Sequence, residues 1–223
     1  MVAVGRGGKI GIYREFRRLG GVSARTIART VIKGLPAHVR SHMLLLARFS
    51  MQFEISAEAL AYVRSDMETG GSLLVFGLGR DSSTWEAVNY RGRTAFLEDL
   101  DEWIARSQAE TPHREVHRIA YETTVEESIK YRAIADIPEL PVIPGVENGS
   151  WDMVIVDGPR GWAPELPGRA SSVLAARRFV RPGGAILVDD YDRPLERHIC
   201  RIVFGRDADT VLAKGRPVGV YRV

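Results

Sequence analysis

From Ser72 onward the chain alternates short apolar runs with helical stretches, and no other feature restricts the fold as much. The runs are 73–76 (LLVF), 94–97 (TAFL), 116–120 (VHRIA), 153–156 (MVIV) and 185–188 (AILV). Three of them are continuously apolar, as strands covered on both faces are. Strand–helix alternation predicts a mostly parallel sheet joined by right-handed crossovers. At the end, TVLA and VGVYRV flank Lys214-Gly215-Arg216-Pro217, which predicts an antiparallel hairpin closing the sheet. The expected class is therefore α/β, with a Rossmann-like sheet. The stretch 137–150 (IPELPVIPGVENGS) reads as an irregular surface loop.

The first part of the chain has the helical period instead. Ile12, Phe16 and Leu19 share one stripe. Ser23 is placed to cap a helix with Ile27 and Val31, and Pro36 to start one with Val39, Met43 and Leu46. A fourth helix, capped by Ser56, turns Leu60, Val63 and Met67 inward and ends at Gly70-Gly71. The expected division is 1–55 as a helical cap or lid and 56–223 as the Rossmann-like domain. The 223 residues carry a formal charge of +3 and a single cysteine, Cys200. That charge falls short of a dedicated nucleic-acid binder, and one cysteine excludes an internal disulfide. No secretory signal and no apolar run long enough for a bilayer is read, so a cytoplasmic chain without membrane partners is expected.

Ligands of open α/β sheets bind beyond the carboxyl ends of the strands. Residues just after each run therefore weigh most. Gly77-Leu78-Gly79-Arg80-Asp81-Ser82 follow Phe76, Glu98 and Asp99 end the second strand, and Tyr121 and Glu122 follow the third. Asp157-Gly158-Pro159-Arg160-Gly161 follow the fourth, and Asp189-Asp190-Tyr191-Asp192-Arg193 the fifth. Gly77 and Gly79 either make a tight connection or let backbone approach a ligand. Glu98, about twenty residues further on, is placed for ribose hydroxyls, or is an acid favoured at a helix start.

A dinucleotide fingerprint wants a glycine where Ser82 stands, and no Walker motif is present. S-adenosylmethionine (SAM), which carries no phosphate, fits better. Its expected pocket is Phe76, Gly77, Gly79, Asp81 and Ser82 from the first turn, with Glu98, Asp99, Tyr121 and Asp157 from the other strand ends. Trp162, in the long loop after Asp157, is expected to cover the sulfonium by cation–π attraction. Val75 stands where many methyltransferases have an acid. The histidines show no ligand spacing with acids, and no metal site is expected.

VFGLGRDSSTW, FLEDLDEW and WDMVIVDGPRGWAPELPGR resemble the motifs of the plant glucuronoxylan 4-O-methyltransferase family, over roughly residues 56–193. The resemblance implies a class I methyltransferase fold. It implies a SAM pocket at Gly77, Gly79, Asp81, Ser82 and Glu98, and a reaction centre at Asp157, Arg160 and Glu165. Two departures bear on the acceptor. The family's His-Asp-x-Asn-Arg reads Asp189-Asp190-Tyr191-Asp192-Arg193 here, and no membrane anchor is read. Asp190 and Tyr191 complete the expected reaction centre.

The first functional expectation is O-methyl transfer to a small or sugar-like acidic acceptor, with Asp157 as base and Arg160 and Arg193 orienting an acceptor carboxylate. The second is cyclisation of SAM to azetidine-2-carboxylate with release of methylthioadenosine, as in related synthases. The third is a non-catalytic SAM- or RNA-binding module. A small-molecule substrate and no nucleic-acid partner are expected, and the oligomeric state is left open.

Overall fold

A computed structural model describes residues 56–212 and 216–223. The helices and cap expected over 1–55 lie outside the described residues. Helix α1 (Ala57–Asp66) begins where Ser56 accepts the Ala59 N–H on its Oγ at 3.0 Å. Leu60, Val63 and Met67 are all buried, as their spacing predicts.

The alternating region follows as β1 (Ser72–Phe76), α2 (Ser82–Val88), β2 (Arg93–Glu98), α3 (Asp101–Glu110) and β3 (Glu115–Arg118). A short α4 (Val125–Ser128) and a single 3₁₀ turn (Ile134–Asp136) lead to β4 (Trp151–Val156), α5 (Ala170–Phe179) and β5 (Val180–Val188). Then come α6 (Pro194–Phe204), β6 (Thr210–Leu212) and β7 (Val218–Arg222).

The seven strands lie in the order β3-β2-β1-β4-β5-β7-β6. Those from β3 to β5 are parallel, with Val75 opposite both Phe96 and Ile155, and Ile155 opposite Leu187. Strand β7 runs antiparallel to β5 and to β6, so the expected closing hairpin is present. The chain winds outward from β1 through β2 to β3, then returns to β4 on β1's other side. The topological switch point therefore lies between β1 and β4.

Successive strand residues alternate between two covered faces. Leu74, Phe76, Val154, Val156, Ile186 and Val188 join Val173 and Phe179 of α5 and Ile199 and Val203 of α6 in one apolar cluster. On the other face Arg114 lies over the Phe96 ring at 5.4 Å and holds Glu86 of α2 at 2.7 Å. Burial on both faces explains the unbroken apolar runs.

Two expectations shift. The third strand is shorter than the run that announces it, ending at Arg118. The stretch 137–150 is irregular but not merely superficial, because Ile137, Leu140, Ile143 and Val146 are buried in the core cluster. Their three-residue spacing, with Pro138, Pro141 and Pro144 between, matches the period of a polyproline II helix. Apolar side chains fall on one side while proline prevents an α-helix.

Candidate active site

At the switch point two glycines fit against each other. Gly77, at φ +100°, donates its N–H to the Leu97 carbonyl at 2.7 Å. A Cβ on Gly158 would lie 2.9 Å from the Gly77 Cα. The ends of β1 and β4 thus approach as bare backbone, which a side chain at either position would disturb.

The turn beyond Gly77 is braced from β2. Glu98 is 4% exposed. One carboxylate oxygen accepts the Leu78 N–H at 2.6 Å, and the other accepts those of Asp99 at 3.0 Å and Leu100 at 2.9 Å. Burial pushes its pKa up, the Leu78 and Leu100 N–H bonds oppose that, and the charge of Asp99 adds to it. Ser82 holds the turn from the other side, its Oγ accepting the Gly79 N–H at 3.0 Å. Asp81 is buried at the N-cap of α2 without a capping bond. Among the described residues a Cβ on Gly79 would meet no atom within 4 Å, so they leave this part of the turn open.

The ends of β4 and β5 carry a cluster of charge. Pairing of Val156 with Val188 sets Asp157 and Asp189 side by side at the strand ends. Burial, then the charge of Asp189, raises the Asp157 pKa well above the carboxylate range, against the pull of Arg169. Its side chain keeps 30% of its exposure. Asp190 behaves oppositely. Burial would raise its pKa, but Arg169 at 3.0 Å, Arg216 and Arg193 at 2.8 Å hold it below the usual range. Arg216 also reaches Asp189 at 3.1 Å. Glu196 is buried beside them, 3.6 Å from Arg193, with its pKa raised by burial.

The expected residues sort unevenly onto this geometry. Gly77, Gly79, Asp81, Ser82, Glu98 and Asp99 gather at the β1 and β2 ends, and Asp157 and Asp190 at the β4 and β5 ends. Tyr121 is half-buried and bonds its hydroxyl to Ser172 at 2.9 Å, and burial raises its pKa well above the phenol value.

Five placements differ from the reading. Phe76 turns its ring into the core, stacked on Phe179 with centroids 6.3 Å apart; only its carbonyl faces the site, accepting the Asp157 N–H. Tyr191 is buried over Gly219 with its hydroxyl 2.9 Å from that of Tyr221, its ring packed in the core cluster. Arg160 and Glu165 are exposed and pair with no described side chain, although the loop bearing them is pinned to α4 through Val125 and Glu126 N–H groups. Trp162 is 73% exposed and does not form the closed cover expected of it.

Sequence reading gives no site role to Arg169, Arg216, Gly158 or Glu196. A signal existed for the first. Arg169 and Arg193 are the N-caps of α5 and α6. A cation there opposes the helix dipole, so it implies an acid partner nearby.

This sheet order, with its glycine turn and acidic strand ends around the switch point, is that of the class I methyltransferase fold. A model of the IRX15/IRX15L/GXM family matches residues 58–136 and 132–214. The chain belongs to that family. Glucuronoxylan 4-O-methyltransferase 2 of Arabidopsis thaliana is 34% identical over 152 residues, covering 59% of this chain and 52% of the relative. Arabinogalactan O-methyltransferase 2 of the same plant is 29% identical over 130 residues, covering 49% and 45%. The chain spans about half the length of the curated relatives it matches. Among solved structures, an O-methyltransferase of Streptomyces achromogenes in complex with SAM is similar at 17% identity and a TM-score of 0.47, covering 89% of this chain and 96% of that one.

These relatives overturn the expectation of a cytoplasmic chain, because their names are those of plant enzymes that methylate glucuronoxylan and arabinogalactan. Among the described residues no helix is long and apolar enough to cross a membrane. The relatives' names point to polysaccharide acceptors, where a small molecule was expected, and lend no support to SAM cyclisation.

Proposed function

We propose that the chain is a SAM-dependent O-methyltransferase acting on a hydroxyl of an acidic, uronate-bearing carbohydrate. The observation that carries this reading is Asp157, a carboxyl held above its ordinary pKa beside the switch point. A base must bind a proton firmly enough to take it from a hydroxyl as the oxygen is alkylated, and a raised carboxylate pKa serves that purpose.

The residues present fit SAM. The open space at Gly79 admits backbone approach, and Glu98, with three of about four acceptor positions engaged by N–H groups, retains one for a ribose hydroxyl. Asp99 and Asp81 flank that space. When bound, SAM supplies an electrophilic methyl group. The chain's own part is to hold the acceptor hydroxyl in line and receive its proton on the Asp157 carboxylate. Arg193 and Arg216, each about a third exposed, stand on the solvent side of the acidic cluster and are placed to orient an acceptor carboxylate. The polysaccharide names of the relatives support a carbohydrate acceptor, and glucuronate in the first of them supports an acidic one.

The test is methyl-labelled SAM with and without a glucuronate-bearing xylo-oligosaccharide. Label in the oligosaccharide, with S-adenosylhomocysteine formed only in its presence, is the expected result. No label in any uronate-bearing acceptor would sink the reading.

A further inference from the structure

Arg169 closes the loop that leaves β4 and caps α5 from a position where a cation is disfavoured. Its side chain is 5% exposed. Nη1 donates to the Asp189 carbonyl at 2.6 Å, and Nη2 donates to the Asp157 carbonyl at 3.1 Å. The same Nη2 stands 3.4 Å from Asp157 Oδ1 and 3.0 Å from Asp190 Oδ2. One guanidinium therefore touches the first backbone carbonyls beyond two neighbouring strands and two of the three aspartates there. Strand pairing holds these ends by a single further bond, because the ladder stops at Val156 and Val188 and only the Asp189 N–H, donated to the Val156 carbonyl at 3.0 Å, continues it.

We propose that Arg169 is a positioning residue that fixes the Asp157 carboxylate for proton transfer by tying the ends of β4 and β5 together. The proposal rests on the reading of Asp157 as the proton acceptor. Such a tie requires a planar fork, since lysine offers one point of attachment and cannot span both carbonyls. The groups facing Asp157 are Asp189 from β5, Arg169 from α5 and Arg216 before β7. Asp190, Arg193 and Glu196 lie behind them. Arg169 pulls Asp157 toward the ionised form, so its removal pushes the carboxyl further up. The acid limb of the rate profile then moves to higher pH.

The experiment compares Arg169→Ala and Arg169→Lys with the wild-type chain. For Arg169→Ala, kcat should fall about 100-fold, the loss typical of a reacting group displaced by an ångström. Its SAM affinity by calorimetry should stay within about threefold, and its acid limb should move up. Added guanidinium ion should restore the limb and at least about tenfold of the rate. Arg169→Lys keeps the charge and loses the fork, so its limb should stay in place while kcat falls roughly tenfold. A kcat within about twofold of wild type in both variants overturns the proposal, as does an Arg169→Ala limb that neither moves nor answers to guanidinium. Should Arg169→Ala fail to fold, wild-type kcat in Arg169→Lys is the overturning result. If the wild-type chain methylates nothing, the functional reading has failed and the clamp is judged alone by carbon-13 NMR titration of Asp157, assigned with Asp157→Asn. A titration that rises in Arg169→Ala and returns with guanidinium supports it; an unchanged one overturns it.

Discussion

The two halves of the site stabilise buried acids by different means. At the β1 and β2 ends, Glu98 is satisfied by backbone N–H groups of Leu78, Asp99 and Leu100. At the β4 and β5 ends, Asp157, Asp189 and Asp190 face the guanidinium groups of Arg169, Arg193 and Arg216. Amide dipoles are fixed by the fold and do not titrate, so the first arrangement makes a rigid turn that suits a bound cofactor. Charges on side chains respond to one another, so the second lets one acid be held ionised and its neighbour be held ready for a proton. In the proposed reaction the amide-braced end binds and the arginine-braced end handles the proton.

The largest expected effect tests that division directly. Asp157→Asn should cut methyl transfer by roughly 10³-fold, within the range for a general base, and leave SAM affinity within about threefold. If labelled-SAM assays and calorimetry show both falling together, the two ends are not separable. Next comes Asp190→Asn, which takes a shared acid partner from three guanidinium groups and should cost about 3 kcal/mol in urea unfolding at neutral pH. Asparagine tolerates the positive φ of Asp190, so backbone strain does not confuse the result. The folded pKa of Asp190 is depressed, so its contribution is present above the ordinary carboxylate pKa and is lost as pH falls through the lower folded value. The variant and wild-type stabilities should therefore converge in acid.

Smaller effects separate backbone contact from open space. Gly158→Ala forces a Cβ against Gly77 and should cost about 2 kcal/mol, as overpacking does. Gly79→Val places its Cβ clear of every described atom and should leave the melting temperature unchanged while abolishing SAM binding. Unchanged SAM affinity would remove Gly79 from the pocket. Last, Glu98→Gln turns an amide NH₂ toward backbone N–H groups and should cost about 1–2 kcal/mol by thermal unfolding. No loss would mean that the brace is redundant.

Much of the fold was legible because it depends on periodicity. Strand runs, the Ser56 cap and the inward stripe of α1 follow from spacing alone. The amide-braced half of the site was legible in outline, since glycines and a strand-end acid mark it. Side-chain direction at the other half was not. Tyr191 follows a strand and was read as facing the site, but Asp190 at φ 56° turns the chain so that the next ring packs over Gly219. An aspartate in the left-handed region carries no signature that tells it from its neighbours. Trp162 shows the opposite limit: its loop position was readable, its exposure was not. The role of Arg169 needed three dimensions, because its partners lie past the ends of two different strands, one before it in sequence and one after.

The proline-spaced stretch between the 3₁₀ turn and β4 has a consequence for how the molecule behaves in a crowd. Near its end a Cβ on Gly145 would lie 3.1 Å from the His117 ring of β3, the outermost strand on that side. Outermost strands invite foreign chains to add on, and natural proteins blunt them with proline and charge. A neighbouring segment in which every third residue lacks an N–H cannot act as a template for further strands, and Arg93 and Glu115 set charge beside it. The same prolines that let four apolar side chains reach the core thus make this flank a poor seed for aggregation.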